Sequence, residues 1–380
     1  MTLSARVHTS IQDIGRDVWD RFAAPSGDPF VSFDFLDACE VSGCVRSHSG
    51  WGPRHLSLLA GDEVVGVMPL YLKGHSQGEY VFDHAWADAY ERAGGRYYPK
   101  LLSAVPFTPV TGPRLLAGSV DHRRALVSAA VSLTEREGLS SLHINFAGDD
   151  DQALMEEAGL LARQDRQYVW FNKGYPDFDA FLADLSSAHR KTIRRERREA
   201  QRGLDIRVLT GSDLTESIWD AFFEFYLDTG SRKWGRPYLN REFFSLIGER
   251  MADRIALVVA YEAGRPVAGA LNFIGRGALY GRQWGTVSPR PFLHFELCYY
   301  QAIELGISLG LDRVEAGAQG EHKLARGYLP RTVHSAHYIA HDGLRRAVGD
   351  YLELERPAVA DEAAVMIENF SPFRRGVTTS

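Results

Sequence analysis

Cysteine and long apolar runs are both scarce in this 380-residue sequence. Its three cysteines, Cys39, Cys44 and Cys298, form no C-x-x-C pair and no even set, so we expect reduced structural cysteines and no disulfide framework. No stretch approaches the roughly 18 apolar residues of a membrane helix, and the first residues are too polar for a signal peptide. We therefore expect a cytoplasmic protein without a membrane span.

An excess of positive charge is also lacking. The formal net charge of -6 excludes a globally basic coat for nucleic acid, so no DNA partner is expected, although a local basic patch remains compatible with it. Hydrophobic residues at 45% and charged residues at 24% are ordinary for a globular protein. At this length one core usually divides, which predicts two domains.

The order of predicted elements repeats along the chain. Strand 55–59 turns at 61–63 into a strand over 64–72, and strand 255–262 turns at 263–265 into strand 266–274. Each half adds helices, a further strand, a helix and a final strand pair, which predicts an α/β fold with a mixed, mostly antiparallel sheet flanked by helices. The segment 172–177 is predicted to link a domain over 1–173 to one over 178–380.

A long loop predicted at 73–100 is rich in aromatic and charged residues. Loops of this length are uncommon unless they cover a site. The candidate substrate-binding residues of the first half are Asp83, Trp86 and Asp88 in this loop and Arg114 after the following apolar run. We therefore expect the first domain to bind the acceptor substrate.

A basic stripe is predicted on a helix over 187–202. Arg190, Arg194, Arg197 and Arg198 share one helical face and suit the phosphates of a donor, although a solvated face with local pairing to Glu196 and Glu199 is the alternative. Further along, Lys233, Trp234 and Arg236 mix cations with an aromatic ring, as substrate-binding sites do; packing of Trp234 as a loop anchor is equally compatible.

The segment 315–330 combines a strand end, a glycine-interrupted loop and a dense set of polar residues. Glu321, His322 and Lys323 are candidate catalytic residues, and Glu315 or Tyr328 completes the set. Amine acylation needs a proton acceptor, for which Glu321 or His322 is suited, and a stabilised oxyanion, for which Lys323 is suited. Three consecutive residues cannot all face one site.

No metal site is expected. His334 and His337, three residues apart on a predicted strand, point to opposite faces. A Ser-His-Asp triad is poorly supported because no serine lies in a G-x-S-x-G turn.

Several motifs together resemble a bacterial family of N-acyltransferases associated with peptidoglycan biosynthesis or recognition. The resemblance rests on the residues at 189–198, 233–239, 292–300 and 315–330, and on 78–83, 86–90 and 106–113 in the first half. That family is similar to the Fem-type transferases, which join two Gcn5-related N-acetyltransferase (GNAT) domains. The resemblance implies two tandem GNAT-like domains, with the donor on the C-terminal side.

The resemblance also implies an activity. An acyl or aminoacyl group would move from aminoacyl-tRNA, slightly favoured, or from acyl-CoA to an amine of a small molecule or peptidoglycan precursor. No tightly bound cofactor is implied. Gln283, in the run with the candidate residue Arg282, stands where an aromatic residue is expected, which predicts a different substrate if it lines the pocket. The alternative is a non-catalytic module that binds a cell-wall precursor or anionic glycan.

Overall fold

The chain forms two compact units. A computed structural model describes residues 2–233, 237–318 and 320–374, with the backbone alone at 231–233 and 321. The first unit contains Met1–Asp165 and Thr332–Ala360, and the second contains Arg166–Arg331 and Asp361–Ser380. The units thus differ from the contiguous halves expected from the sequence. The chain re-enters the first unit because the strand residues 334–339 pair there with 141–147.

The described residues contain strands from both halves of the chain. The strands are β1 (Leu3–His8), β2 (Trp51–Pro53), β3 (His55–Ala60), β4 (Glu63–Met68), β5 (Tyr71–Lys73), β6 (Lys100–Ser103), β7 (Leu116–Ala117), β8 (Ser141–Ala147), β9 (Leu161–Phe171), β10 (Asp205–Leu209), β11 (Ile255–Glu262), β12 (Arg265–Gly275), β13 (Ala278–Thr286), β14 (Arg313–Glu315) and β15 (Leu329–Ile339).

Helices connect and flank these strands. They are α1 (Arg16–Ala23), α2 (Phe33–Val41), α3 (His84–Arg92), α4 (Val120–Arg136), α5 (Asp149–Glu157), α6 (Phe178–Asp184), α7 (Ser187–Ala200), α8 (Glu216–Lys233), α9 (Arg241–Arg250), α10 (Leu293–Phe295), α11 (Gln301–Ser308) and α12 (Asp342–Phe370). A π-helical turn, Glu296–Tyr300, joins α10 to α11, and a 3₁₀ helix spans Glu321–Arg326. No helix in the described ranges is long and apolar enough to cross a membrane.

The first unit is built from two groups of strands. One sheet has the order β1-β3-β4-β7, and the other group has the order β15-β8-β6-β5-β2, in which β6 and β8 run parallel. Its core joins strand residues such as Leu56, Met68 and Ile144 to Leu126 of α4, all buried. Burying such side chains stabilises the fold by about 1.5–3 kcal/mol each.

The second unit has the strand order β10-β11-β12-β13-β14-β9. Neighbours are antiparallel except β13 and β14, which are parallel. On β12, Ala268 and Ala270 pack with Leu293 and Leu297, while Gly269 faces α8. Helices therefore cover both faces, which explains why the first six residues of β11 are all buried.

The observed elements depart from the predicted ones at three places. The predicted strand 64–72 is divided into β4 and β5 because Pro69 lacks an N–H and restricts the residue before it. The predicted loop 73–100 contains helix α3. The last helix, which the sequence predicts over about 343–355, continues to Phe370, through Pro357.

Candidate functional site

The parallel strands β13 and β14 part within the second unit. They are paired from Ala278 to Tyr280 on β13 and from Arg313 to Glu315 on β14. Beyond Glu315 the chain turns to β9, where Ala316 N donates to Tyr168 O at 3.0 Å and Tyr168 N donates to Gly317 O at 3.1 Å. Strand β13 instead stays paired with β12 as far as Thr286. The two strands therefore separate beyond Tyr280 and Glu315, and we call the region between their ends the strand opening.

A β-bulge on β13 lies beside the strand opening. Gly281 pairs with Asn272 and Trp284 pairs with Ala270, so Arg282 and Gln283 together oppose one residue of β12. Such a bulge bends its strand and increases the local twist. It accounts for the divergence of β13 from β14 and places both predicted residues, Arg282 and Gln283, half-buried at this point.

The side chain of Lys323 lies at the end of β14. The 3₁₀ helix follows Gly320, whose φ of 105° lies in the region that favours glycine. The Lys323 Nζ donates to Ala316 O at 2.7 Å and to Gly317 O at 3.3 Å, and it lies 5.6 Å from the centroid of the Tyr168 ring. The ammonium group is thus held by backbone carbonyls directly beyond Glu315.

Burial changes the acidity of this ammonium group. Lys323 is only 5% exposed, and desolvation lowers its pKa to about 8. The nearby Cys298 opposes this shift, whereas the positive charge of Arg282 reinforces it. Lys323 remains largely protonated at neutral pH, but it is a weaker base and a stronger hydrogen-bond donor than an exposed lysine.

The other candidate residues of this segment make contacts of their own. His322 is exposed, and its Nε2 lies 3.0 Å from the Tyr299 Oη. Tyr328 is fully buried and donates its hydroxyl to Tyr299 O at 3.1 Å, which is a supporting contact and leaves no surface for substrate. The side chain of Glu321 lies outside the described residues.

A buried ion pair fixes the segment that carries Lys323. Arg326 Nη2 lies 2.9 Å from both carboxylate oxygens of Glu196 on α7, and Nη1 donates to His322 O at 2.6 Å. The Tyr300 hydroxyl also donates to Glu196. The sequence pattern predicts Glu196 only as a local partner on a solvated face of α7. In the structure it is 4% exposed and holds the 3₁₀ helix to α7.

The predicted phosphate-binding stripe is partly neutralised. Arg197 pairs with Glu296 at 3.0 Å and Glu304 at 2.7 Å, and the exposed Arg194 pairs with Asp179 at 2.8 Å. In the described residues, Arg190 and Arg198 make no ion pair. Arg194, Arg197 and Arg198 line a cleft of about 670 Å³ that carboxylates also line. The stripe therefore offers less net positive charge than the sequence indicated.

Other predicted residues of the second half have different surroundings. Glu315 is 3% exposed, and its Oε1 accepts from Arg313 Nε at 2.9 Å. Lys233 ends α8, but its side chain, like Trp234 and Arg236, lies outside the described residues. These three stay predictions.

In the first unit, Asp83 and Trp86 border one buried polar cluster. Asp83 accepts from Lys100 at 2.5 Å and from Tyr97 at 2.7 Å, and the ring of Trp86 stacks on that of His143. Burial opposes ionisation of Asp83, but the attraction to Lys100 outweighs it and lowers its pKa below the usual range. Both residues are buried, so their observed contacts stabilise the unit.

The other two candidates of the first unit do not join this cluster. Arg114 is fully buried and donates to the backbone carbonyls of Val110, Pro113 and Asn145, which makes it a support for the chain turn. Asp88 is exposed on α3. The described residues contain no group of three or more side chains that could hold a metal ion.

Comparison with known proteins identifies the family. The model of the FemAB-like family, described as peptidoglycan biosynthesis/recognition, matches residues 10–375. The chain belongs to the FemAB-like family. No curated protein matches the sequence.

Solved structures agree with the fold of this FemAB-like chain. The match to the structure of FemX covers 92% of this chain and 100% of FemX, with 12% sequence identity and a TM-score of 0.55. The match to a conserved protein of unknown function from Bacteroides thetaiotaomicron covers 88% of this chain and 99% of that protein, with 10% sequence identity and a TM-score of 0.52. The match to L-PGS from Bacillus licheniformis covers 92% of this chain and 98% of that protein, with 10% sequence identity and a TM-score of 0.50. The predicted α/β fold with mixed sheets flanked by helices is confirmed.

The FemAB-like family and this fold support an acyltransferase-type function. Sequence reasoning missed the residues that position Lys323. Arg326 and Glu196 are 130 positions apart, and Tyr168 lies on a strand that carried no functional signal. For Glu196 a signal did exist, because it falls on the same helical face as the buried Ile193 and Ala200.

Proposed function

We propose that this FemAB-like protein is an N-acyltransferase. It moves an acyl or aminoacyl group from an activated donor, aminoacyl-tRNA or acyl-CoA, to an amine of a small molecule or peptidoglycan precursor. The observation that carries the proposal is the position of Lys323, whose buried ammonium group is fixed by two carbonyls at the strand opening. The family and the fold support the same reaction class.

The proposed step is attack of the acceptor amine on the acyl carbonyl of the donor. A C–N bond forms and the carbonyl electrons move to oxygen; collapse then breaks the C–S bond of a thioester or the C–O bond of an ester. The amine proton passes to a base of the site and from that base to the leaving group, which departs as a thiol or an alcohol. The negative oxygen of the intermediate is the group that needs stabilisation.

Lys323 is suited to that role. An ammonium group has three donors, and two of them are directed to Ala316 and Gly317. The third donor can reach an acyl oxygen bound in the strand opening. Because the two carbonyls fix the group in advance, no reorganisation is needed as charge develops. His322, exposed beside Lys323, is the proposed acceptor of the amine proton, with Glu321 as the alternative.

Donor consumption tests this function. The purified protein is incubated with acetyl-CoA, longer acyl-CoAs and a charged tRNA pool, with and without a pool of amine acceptors. We expect the wild type to consume one donor class and Lys323→Met to lose most of that rate. Lys191→Met, at an exposed position of α7, is the matched control. Ligand binding without turnover of any donor would instead indicate the binding module.

A further inference from the structure

An apolar groove of about 680 Å³ lies in the second unit, between the last turns of α12 and the 3₁₀ helix that carries Lys323. Its apolar lining is Leu324, Val365, Met366 and Phe370, and His189 at the start of α7 also lines it. Val365 is 51% exposed and Phe370 is 63% exposed. Large apolar side chains exposed together mark a surface that binds another apolar group.

The groove is separated from Lys323 by one side chain. Tyr168 lies under the Lys323 ammonium, with 5.6 Å between Nζ and the ring centroid, and its hydroxyl is 3.7 Å from the sulfur of Met366. Leu324, which follows Lys323 directly, is 3% exposed and lines the same groove. A molecule in the groove therefore lies one side chain away from the group that we propose to stabilise the oxyanion.

We infer that the groove holds the hydrocarbon chain of an acyl thioester donor. This inference rests on the proposed function and specifies the donor as a fatty acyl-CoA. The volume of the groove falls in the range of sites for small molecules. Two exposed carboxylates, Asp361 and Glu362, also line it, which disfavours an anionic group there and leaves an uncharged chain unaffected.

The charges of α7 are consistent with the same donor. The helix that contributes His189 to the groove carries Arg190 and Arg198 further along, so the phosphates of coenzyme A can lie towards α7 while the chain occupies the groove. The pairing of Arg194 and Arg197 with carboxylates removes two of the cations of α7 that a tRNA backbone, which needs many phosphate contacts, would use. A small donor fits this charge distribution better.

Binding of acyl-CoAs of two, eight and sixteen carbons tests the inference. Calorimetry on the full chain compares the wild type with Val365→Ser/Phe370→Ser, whose exposed positions leave the fold intact. We expect wild-type affinity to rise with chain length, by up to about fourfold per buried methylene. The double variant should lose about tenfold or more for the sixteen-carbon chain and nothing for acetyl-CoA. Leu354→Ser, 77% exposed on the same helix and outside the groove, is the control.

Three results would overturn the inference. Equal affinity for all chain lengths, with consumption of acetyl-CoA or aminoacyl-tRNA, would refute the groove assignment and leave the proposed function standing. A change in oligomeric state of the double variant, without a change in chain-length dependence, would show that the groove is a contact between copies. Failure to consume any donor would refute the proposed function, and with it the role of the groove in catalysis.

Discussion

Removal of the Glu196 carboxylate is predicted to destabilise the second unit strongly. In Glu196→Ala, the guanidinium of Arg326 stays buried but loses both oxygens at 2.9 Å, and the Tyr300 hydroxyl loses its acceptor. Breaking a buried pair by removing one partner costs about 3–5 kcal/mol, because a charge remains uncompensated. For a unit of this size we expect the melting temperature to fall by roughly 2–4 °C per kcal/mol.

Urea and thermal unfolding, followed by circular dichroism, measure this effect. Asp179→Asn is the matched control, since it breaks an ion pair of the same helix at an exposed site and should cost at most about 1 kcal/mol. The double variant Glu196→Leu/Arg326→Met removes both charges and should recover much of the stability. A loss below about 1 kcal/mol in Glu196→Ala would refute the reasoning, because Arg326 would then not depend on this carboxylate.

Three further predictions concern pH and packing. Because the pKa of Lys323 is lowered to about 8, the activity that needs its protonated form should fall as the pH rises through 8. A pH–rate profile measures this fall, and Lys323→Arg should keep any residual activity across the same range. Asp83 has a lowered pKa, so its stabilising effect is complete above the unfolded value and declines progressively as the pH falls below about 4; the difference between the urea midpoints of wild type and Asp83→Asn should shrink over that range. Gly285→Ala directs a methyl group against the backbone of α8 at Phe225 and should cost about 1–3 kcal/mol in urea unfolding, unlike Gly118→Ala, which meets open space.

Local sequence patterns predicted most helices and strands of the fold. The hairpins β3–β4 and β11–β12 follow from short turns between apolar runs, and the periodicity of apolar residues predicts a helix around 33–41, where α2 is observed. Helix α3 lies within the segment predicted as a loop, and its N-cap residue, Asp83, makes no side-chain cap because its carboxylate accepts from Lys100. This contact between Asp83 and Lys100 joins residues 17 positions apart, and the local sequence does not reveal it.

The candidate site was predictable only in part. Lys323 was identified from its glycine-rich context, and its separation from the exposed His322 agrees with the expectation that consecutive residues diverge. The parting of β13 from β14, the bulge at Arg282 and the Glu196–Arg326 pair depend on contacts between segments far apart in the sequence. A single sequence contains no direct signal for such pairs.

The most direct test of the account is the rate of acyl transfer by Lys323→Met. The substitution keeps the length and apolar volume of the side chain and removes only the ammonium group. With the donor that the wild type consumes, we predict a fall in kcat of about 10²–10³-fold, as for loss of one oxyanion donor, in a protein whose circular dichroism spectrum matches that of the wild type. A correctly folded Lys323→Met protein that turns over as fast as the wild type and the Lys191→Met control would contradict the central claim.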